Sequence, residues 1–163
     1  MHRKVSGFSL LEVLIAVVVV SLGMLGVGAA LVTVHRSTSS SYLQQQSAQL
    51  ANDIIERMRQ NVSGAQLGDY DISYTGGTVS APPVMCDPTG AACAAANEAA
   101  YDLFQWLTGL NSLLPGANAT ITVVLTPKNT YLTTVVVSYN DAPAATALKS
   151  ATTRRTVQLE TLL

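Results

Sequence analysis

Hydrophobic positions fall into three regimes along the chain. From Val13 to Val34 they are nearly continuous, 22 residues without a charged side chain. At about 1.5 Å per residue a helix of that length reaches roughly 33 Å, enough to cross a bilayer core of about 30 Å. After the polar patch Ser37–Ser41 the pattern becomes periodic. Leu43, Leu50, Ile54 and Met58 recur with Ala51, Ile55 and Val62 beside them, spacings of seven and four that keep one helical face apolar. No proline interrupts Phe8 to Val62, so one helix is predicted to run through both regimes and to stop at Ser63-Gly64. Asp53 and Arg57, four apart, are placed to pair on its outer face.

The third regime mixes periods. Residues 63–96, rich in Gly, Pro, Ser and Ala, read as loop, with Tyr70–Tyr74 as a candidate short strand. Ala100, Leu103, Phe104, Trp106, Leu107 and Leu110 give a helical pattern over residues 97–114, ended by Leu114-Pro115-Gly116. Trp106 reads as a core anchor on that helix. Strands follow between residues 120 and 162. Thr120–Thr126 alternates, Tyr131–Tyr139 is β-branched over much of its length, and Thr156–Leu162 places Val157, Leu159 and Thr161 on one face. Pro127–Thr130 suits a hairpin, and Asp141–Thr153 reads as loop. The fold class is therefore α+β, a long N-terminal helix with a small antiparallel sheet.

Composition narrows the function. Hydrophobic residues make up 48% and charged residues 12% of the 163, with a net charge of −1, so no basic field draws the chain to nucleic acid. Cys86 and Cys93 are too few for a structural zinc site, and His2 and His35 are distant. A close cysteine pair beyond a membrane-length segment reads as a disulfide in an oxidising compartment. No phosphate-binding glycine loop and no Ser/His/Asp set is present, so catalysis is not expected, nor is any cofactor or metal. The one close carboxylate pair beyond the apolar run, Asp69 and Asp71, sits in a Gly/Tyr loop and reads as solvated.

Arg3 and Lys4 before the apolar run place the N-terminus in the cytoplasm, although His35 and Arg36 beyond it weaken the contrast. Glu12 is the anomaly. A carboxylate costs about 2.5–3.5 kcal/mol at the membrane centre, less near the edge, and calls for a partner. No cation lies within the run, so that partner is headgroup, another chain, or a new amino terminus made by cleavage.

Lys4-Val5-Ser6-Gly7-Phe8-Ser9-Leu10-Leu11-Glu12-Val13-Leu14-Ile15-Ala16 resembles the class III signal of type IV prepilins and pseudopilins, in which a basic leader ends in Gly, Phe follows, and Glu stands fifth after the cut. Residues 86–141 resemble more narrowly the minor pilins called type IV pilus modification proteins. The resemblance rests there on Cys93, Asp102-Leu103, Trp106, Leu113–Gly116 and Val135–Asp141, with Tyr139 where that group often has Trp. The resemblance implies cleavage between Gly7 and Phe8 by a prepilin peptidase, methylation of the Phe8 amine, and subunit assembly through Phe8 and Glu12. It divides the chain into a leader (1–7), a transmembrane assembly helix (8–36) and a periplasmic pilin-like domain (37–163), with the helix continuing over 37–62 and packing under the chain's own sheet. Assembled relatives loosen the helix near a proline; here Gly23, Gly26 and Gly28 stand in that region instead.

The implied function is a minor pilin that starts or tips a pilus and so supports adhesion, twitching motility or DNA uptake. Its partners would be other pilins and minor pilins, assembly-platform proteins and the inner membrane. A minor pseudopilin of a type II secretion system and a non-polymerising anchored binding protein are the alternatives. An ordinary signal peptide cut near Gly28-Ala29-Ala30 is a further reading of the N-terminus alone.

Overall fold

The apolar run and the periodic stripe form one α-helix. In the computed structural model, which describes residues 9–86, 93–142 and 153–163, α1 spans Leu10–Gln60 without a break. Its 51 residues extend about 77 Å. The backbone stays helical through Gly23, Gly26 and Gly28.

Beyond Ser40 the helix acquires an inner face. Ala51, Ile54, Ile55 and Met58 are buried, with Leu43 and Leu50 partly so. The stripe's partners lie in the same chain: α1 contacts α3 (Ala95–Leu113) and two strands, β3 (Tyr131–Asn140) and β4 (Arg154–Leu162). Contacts between the helices give their relative direction. Asn61 meets Ala95, Arg57 meets Asp102 and Leu50 meets Trp106, so α3 runs antiparallel to α1.

Four strands form an antiparallel meander in the order β1 (Ile72–Tyr74), β2 (Asn118–Leu125), β3, β4. Period-2 alternation sets the faces. Thr133, Val135, Val137 and Tyr139 are buried, while Leu132, Thr134, Val136 and Ser138 between them are half-buried. The β2–β3 turn falls at the predicted hairpin, where Thr126 N–H donates to Thr130 O at 2.8 Å and Asn129 takes φ 58°, a left-handed conformation that asparagine tolerates. Trp106, Leu107 and Leu110 from α3 and Ile121 from β2 complete the core.

The helix stop differs from the expectation. α1 ends at Gln60, Asn61 leaves helical geometry, and a second helix, α2 (Val62–Leu67), ends at Gly68 with φ 82°. The reason lies in Asn61. Its Oδ1 accepts from Gly64 N at 3.3 Å and caps α2, and a Cβ at Gly64 would stand 2.7 Å from Asn61 Nδ2. Gly64 is there for close approach, and Gly68 supplies the stop. The 63–96 stretch accordingly contains most of α2 and all of β1, and α3 begins at Ala95 rather than Asn97.

Candidate assembly site

Two surfaces of α1 behave differently. From Leu10 to Val34 every residue is exposed to its own chain's surroundings; Val17 is 59% and Leu25 72% accessible. This half has the length and hydropathy to cross a membrane. Its hydroxyls are satisfied within the helix: Ser21 Oγ donates to Val17 O at 2.7 Å and Thr33 Oγ1 to Ala29 O at 3.2 Å. Gly23, Gly26 and Gly28 have open space where a side chain would stand.

Glu12 lies in the first turn of α1, where its backbone N–H donates to Ser9 O. A carboxylate is favoured at a helix N-terminus by the helix dipole. Glu12 is the one charged group in the apolar half of α1, and among the described residues no side chain meets its carboxylate. The other residues expected to act with it, Gly7 and Phe8, lie outside the described residues.

Residues 2–28 match the family described as prokaryotic N-terminal methylation motif. The chain carries the N-terminal signal of type IV pilins. No curated protein and no solved structure matches the chain. The pilin-type motif implies membrane anchoring, processing by a prepilin peptidase and association with pilus machinery, and it points to a structural subunit of pilin or pseudopilin type.

Above the span, this pilin-like chain is held by two polar clusters that its local sequence pattern does not announce. At the far end of α1, Arg57 donates to Asp53 (3.2 Å), Asp102 (3.1 Å) and Gln105 (2.9 Å). Tyr70 Oη donates to the other Asp102 oxygen at 2.6 Å, and Asn61 Nδ2 bonds Tyr70 Oη and Ala95 O. Burial and the Asp102 carboxylate push the Tyr70 pKa well above the usual tyrosine range. Burial works against the charge on Arg57, but Asp102 and Asp53 outweigh it and raise its pKa. Only the Asp53–Arg57 contact is encoded by local spacing.

Nearer the span, Ser40 Oγ donates to Asp141 Oδ2, and Arg155 Nε lies 3.3 Å from the same oxygen. Asp141 is fully buried, and its N–H donates to Thr153 O, closing the base of the β3–β4 connection. Tyr139, also buried, faces Ser47 without a well-formed hydrogen bond; burial raises its pKa.

The cysteines are bridged. Cys86 and Cys93 form a disulfide with a Cα–Cα distance of 6.0 Å. Neither belongs to the core, and closing so short a loop stabilises by about 2.5 kcal/mol on a chain-entropy estimate. Reduction, or paired Cys86→Ser and Cys93→Ser substitution, is therefore expected to speed amide exchange beside the bridge. Exchange in β3 should stay unchanged. Loss of protection in β3 would assign the bridge a role in the core.

Asp71 is exposed, as expected, and its Oδ1 also accepts from Val123 N at 2.9 Å just before the start of β1, so it closes a ladder position that the three-residue strand leaves open. Among the described residues no group of three or more His, Cys, Asp and Glu is placed to hold a metal ion.

Proposed function

We propose that this chain is a minor pilin that takes part in starting or tipping a type IV pilus. In this reading residues 1–7 are a cytoplasmic leader, 8–36 an inner-membrane assembly helix and 37–163 a periplasmic domain. Prepilin peptidase cuts between Gly7 and Phe8, and the methylated Phe8 amine meets the Glu12 carboxylate of a neighbouring subunit. The observation that carries the reading is the charge of Glu12, which meets no side chain among the described residues, on an apolar helix that the described domain leaves uncovered. An isolated carboxylate in lipid is costly, and an intersubunit pair offsets that cost only in the register where both charges meet. The resemblance of residues 86–141 to minor pilins supports the narrower assignment over a secretion pseudopilin.

The test is Glu12→Ala in cells with an active peptidase. Intact mass should still show a chain beginning at N-methylated Phe8, while the amount in sheared fibres falls on the order of tenfold or more, the ratio that corresponds to 1.4 kcal/mol or more. Glu12→Asp, with its shorter reach, should be intermediate. Normal incorporation of processed Glu12→Ala protein would reduce Glu12 to a boundary carboxylate. Retention of Met1 in the wild type would overturn the processing step. Recovery with secretion components instead of pili would make the chain a pseudopilin.

A further inference from the structure

The carboxylates of the domain are sorted along the axis of α1, while cations stand at both ends, Arg57, Arg59 and Lys128 at the far one. Height above the span can be read from contacts to the helix. Ser40, six residues past Val34 and so about 9 Å beyond the apolar edge, touches Asp141, and Asp141 is paired with Arg155. Arg154 follows on the same strand, paired in register with Asn140, and its guanidinium donates to Ser138 Oγ at 2.9 Å and Gly116 O at 3.0 Å. Arg36 stands two residues past Val34, about 3 Å beyond the edge. At the opposite end, Arg59 donates to Thr161.

The carboxylates gather at the far end and outnumber the cations there. Among the described residues, Asp141 is the one acidic side chain at the low end, and it is buried beneath Arg155. Asp53, Glu56 and Asp102 lie level with the last turns of α1, and Glu160 precedes the Thr161 that meets Arg59. Asp69 and Asp71 flank Tyr70, which bonds Asn61. The low end is thus cationic at its surface, and its arginines retain donors, since each guanidinium carries five N–H groups.

We propose that Arg36, Arg154 and Arg155 form a collar that binds the anionic phospholipid headgroups of the leaflet from which α1 emerges, seating the domain on the membrane before assembly. This rests on the membrane-spanning reading of α1. The headgroup layer extends roughly 5–7 Å beyond the hydrocarbon. Arg36 lies within it, and the helix holds the Arg155 side chain near its outer margin. Arg154 stands beside Arg155 on β4 and adds its charge to the same end. A neighbouring subunit's acidic far end would also complement the collar. The unbroken helix, however, brings the collar to the bilayer in every inserted subunit, before any neighbour arrives. Arg36 is also, with His35 beside it, the basic charge that weakens the topology signal in the sequence.

Full-length protein in nanodiscs tests this. A dye on Thr156→Cys, an exposed position beside Arg155, reports proximity to lipids with quenching headgroups, the native cysteines being bridged. Quenching should be stronger in phosphatidylcholine mixed with phosphatidylglycerol than in phosphatidylcholine alone, and should weaken at high salt. Arg36→Gln and Arg154→Gln, which leave the Asp141–Arg155 pair intact, should each lower the ratio of seated to free domain by about fivefold. Equal quenching in the two lipids, or indifference to both substitutions, would overturn the proposal. Arg154-dependent crosslinking of position 156 to the far end of a second copy, without lipid dependence, would assign the collar to a subunit contact and overturn it equally. Failure of the intact chain to insert into either disc would overturn the membrane reading itself, and the collar with it.

Discussion

Trp106→Ala is expected to destabilise the domain by about 3–5 kcal/mol, the range for removing a large aromatic side chain from a packed core. Trp106 is 1% accessible and lies on α3 against α1, where its Nε1 donates to Leu50 O at 2.8 Å. Leu50 is in mid-helix, so its carbonyl can keep the backbone bond that a helix supplies one turn on. The loss is therefore chiefly cavity and buried area, with the indole hydrogen bond a smaller part. Trp106→Phe keeps a ring and should cost about 1–2 kcal/mol. As Trp106 is the sole tryptophan, amide exchange in β3 is the suitable readout. It should quicken about a hundredfold or more in Trp106→Ala, at tenfold per 1.4 kcal/mol. Unchanged protection of β3 would show that α3 and the sheet do not share one cooperative core.

How much of this was legible in the sequence depends on the distance over which each feature is encoded. The stripe on α1 could be read because Ile54, Ile55 and Met58 repeat within two turns, and the buried face follows from that period. The β2–β3 hairpin could be read because a turn is a local matter of Pro127, Asn129 and their neighbours. Glu12 stood out because a charge inside an apolar run is anomalous whatever the fold. Gly64 was misleading because a glycine that ends a helix and one that admits a neighbouring side chain look alike, and only the position of Asn61 separates them. Asp71 is exposed as its loop setting suggests, but its bond to Val123 N, 52 residues away, leaves no local signature. Asp141 and Ser40 are separated by 101 residues, and no local pattern marks either as a member of a buried cluster.

The other large effect should come from Asp102→Ala, which cuts the network joining α1, α3 and the segment before β1. Asp102 accepts from Arg57 with one oxygen and from Tyr70 with the other. After truncation Arg57 keeps Asp53 and Gln105 and is partly solvated, so its loss is modest. Tyr70 is fully buried, and Asn61 Nδ2 donates to its oxygen, so the tyrosine O–H would be left without an acceptor. The expected cost is about 3 kcal/mol, mostly from that stranded donor together with the lost charged hydrogen bond. Asp102→Asn, which still offers an acceptor, should recover part of it. Adding Tyr70→Phe to Asp102→Ala should remove the stranded group, so the double variant is expected to be more stable than the sum of the single losses implies. Urea unfolding of the detergent-solubilised chain, followed by Trp106 fluorescence, measures each value, and strict additivity would refute the coupling. The same network predicts an alkaline limit. Tyr70 keeps its proton in the fold above the pH at which an unfolded tyrosine loses it, near 10, so the folded state then binds more protons than the unfolded state. Stability should be level below that pH and fall above it by up to about 1.4 kcal/mol per pH unit for this one group. Tyr139, shifted in the same direction by burial, should add a second contribution of the same sign. Tyr70→Phe should remove one share of the slope and leave the other. A wild-type profile that stays flat well above pH 10 would mean that the Tyr70 hydroxyl ionises as readily in the fold as in the free chain, and that Asp102 does not hold its proton.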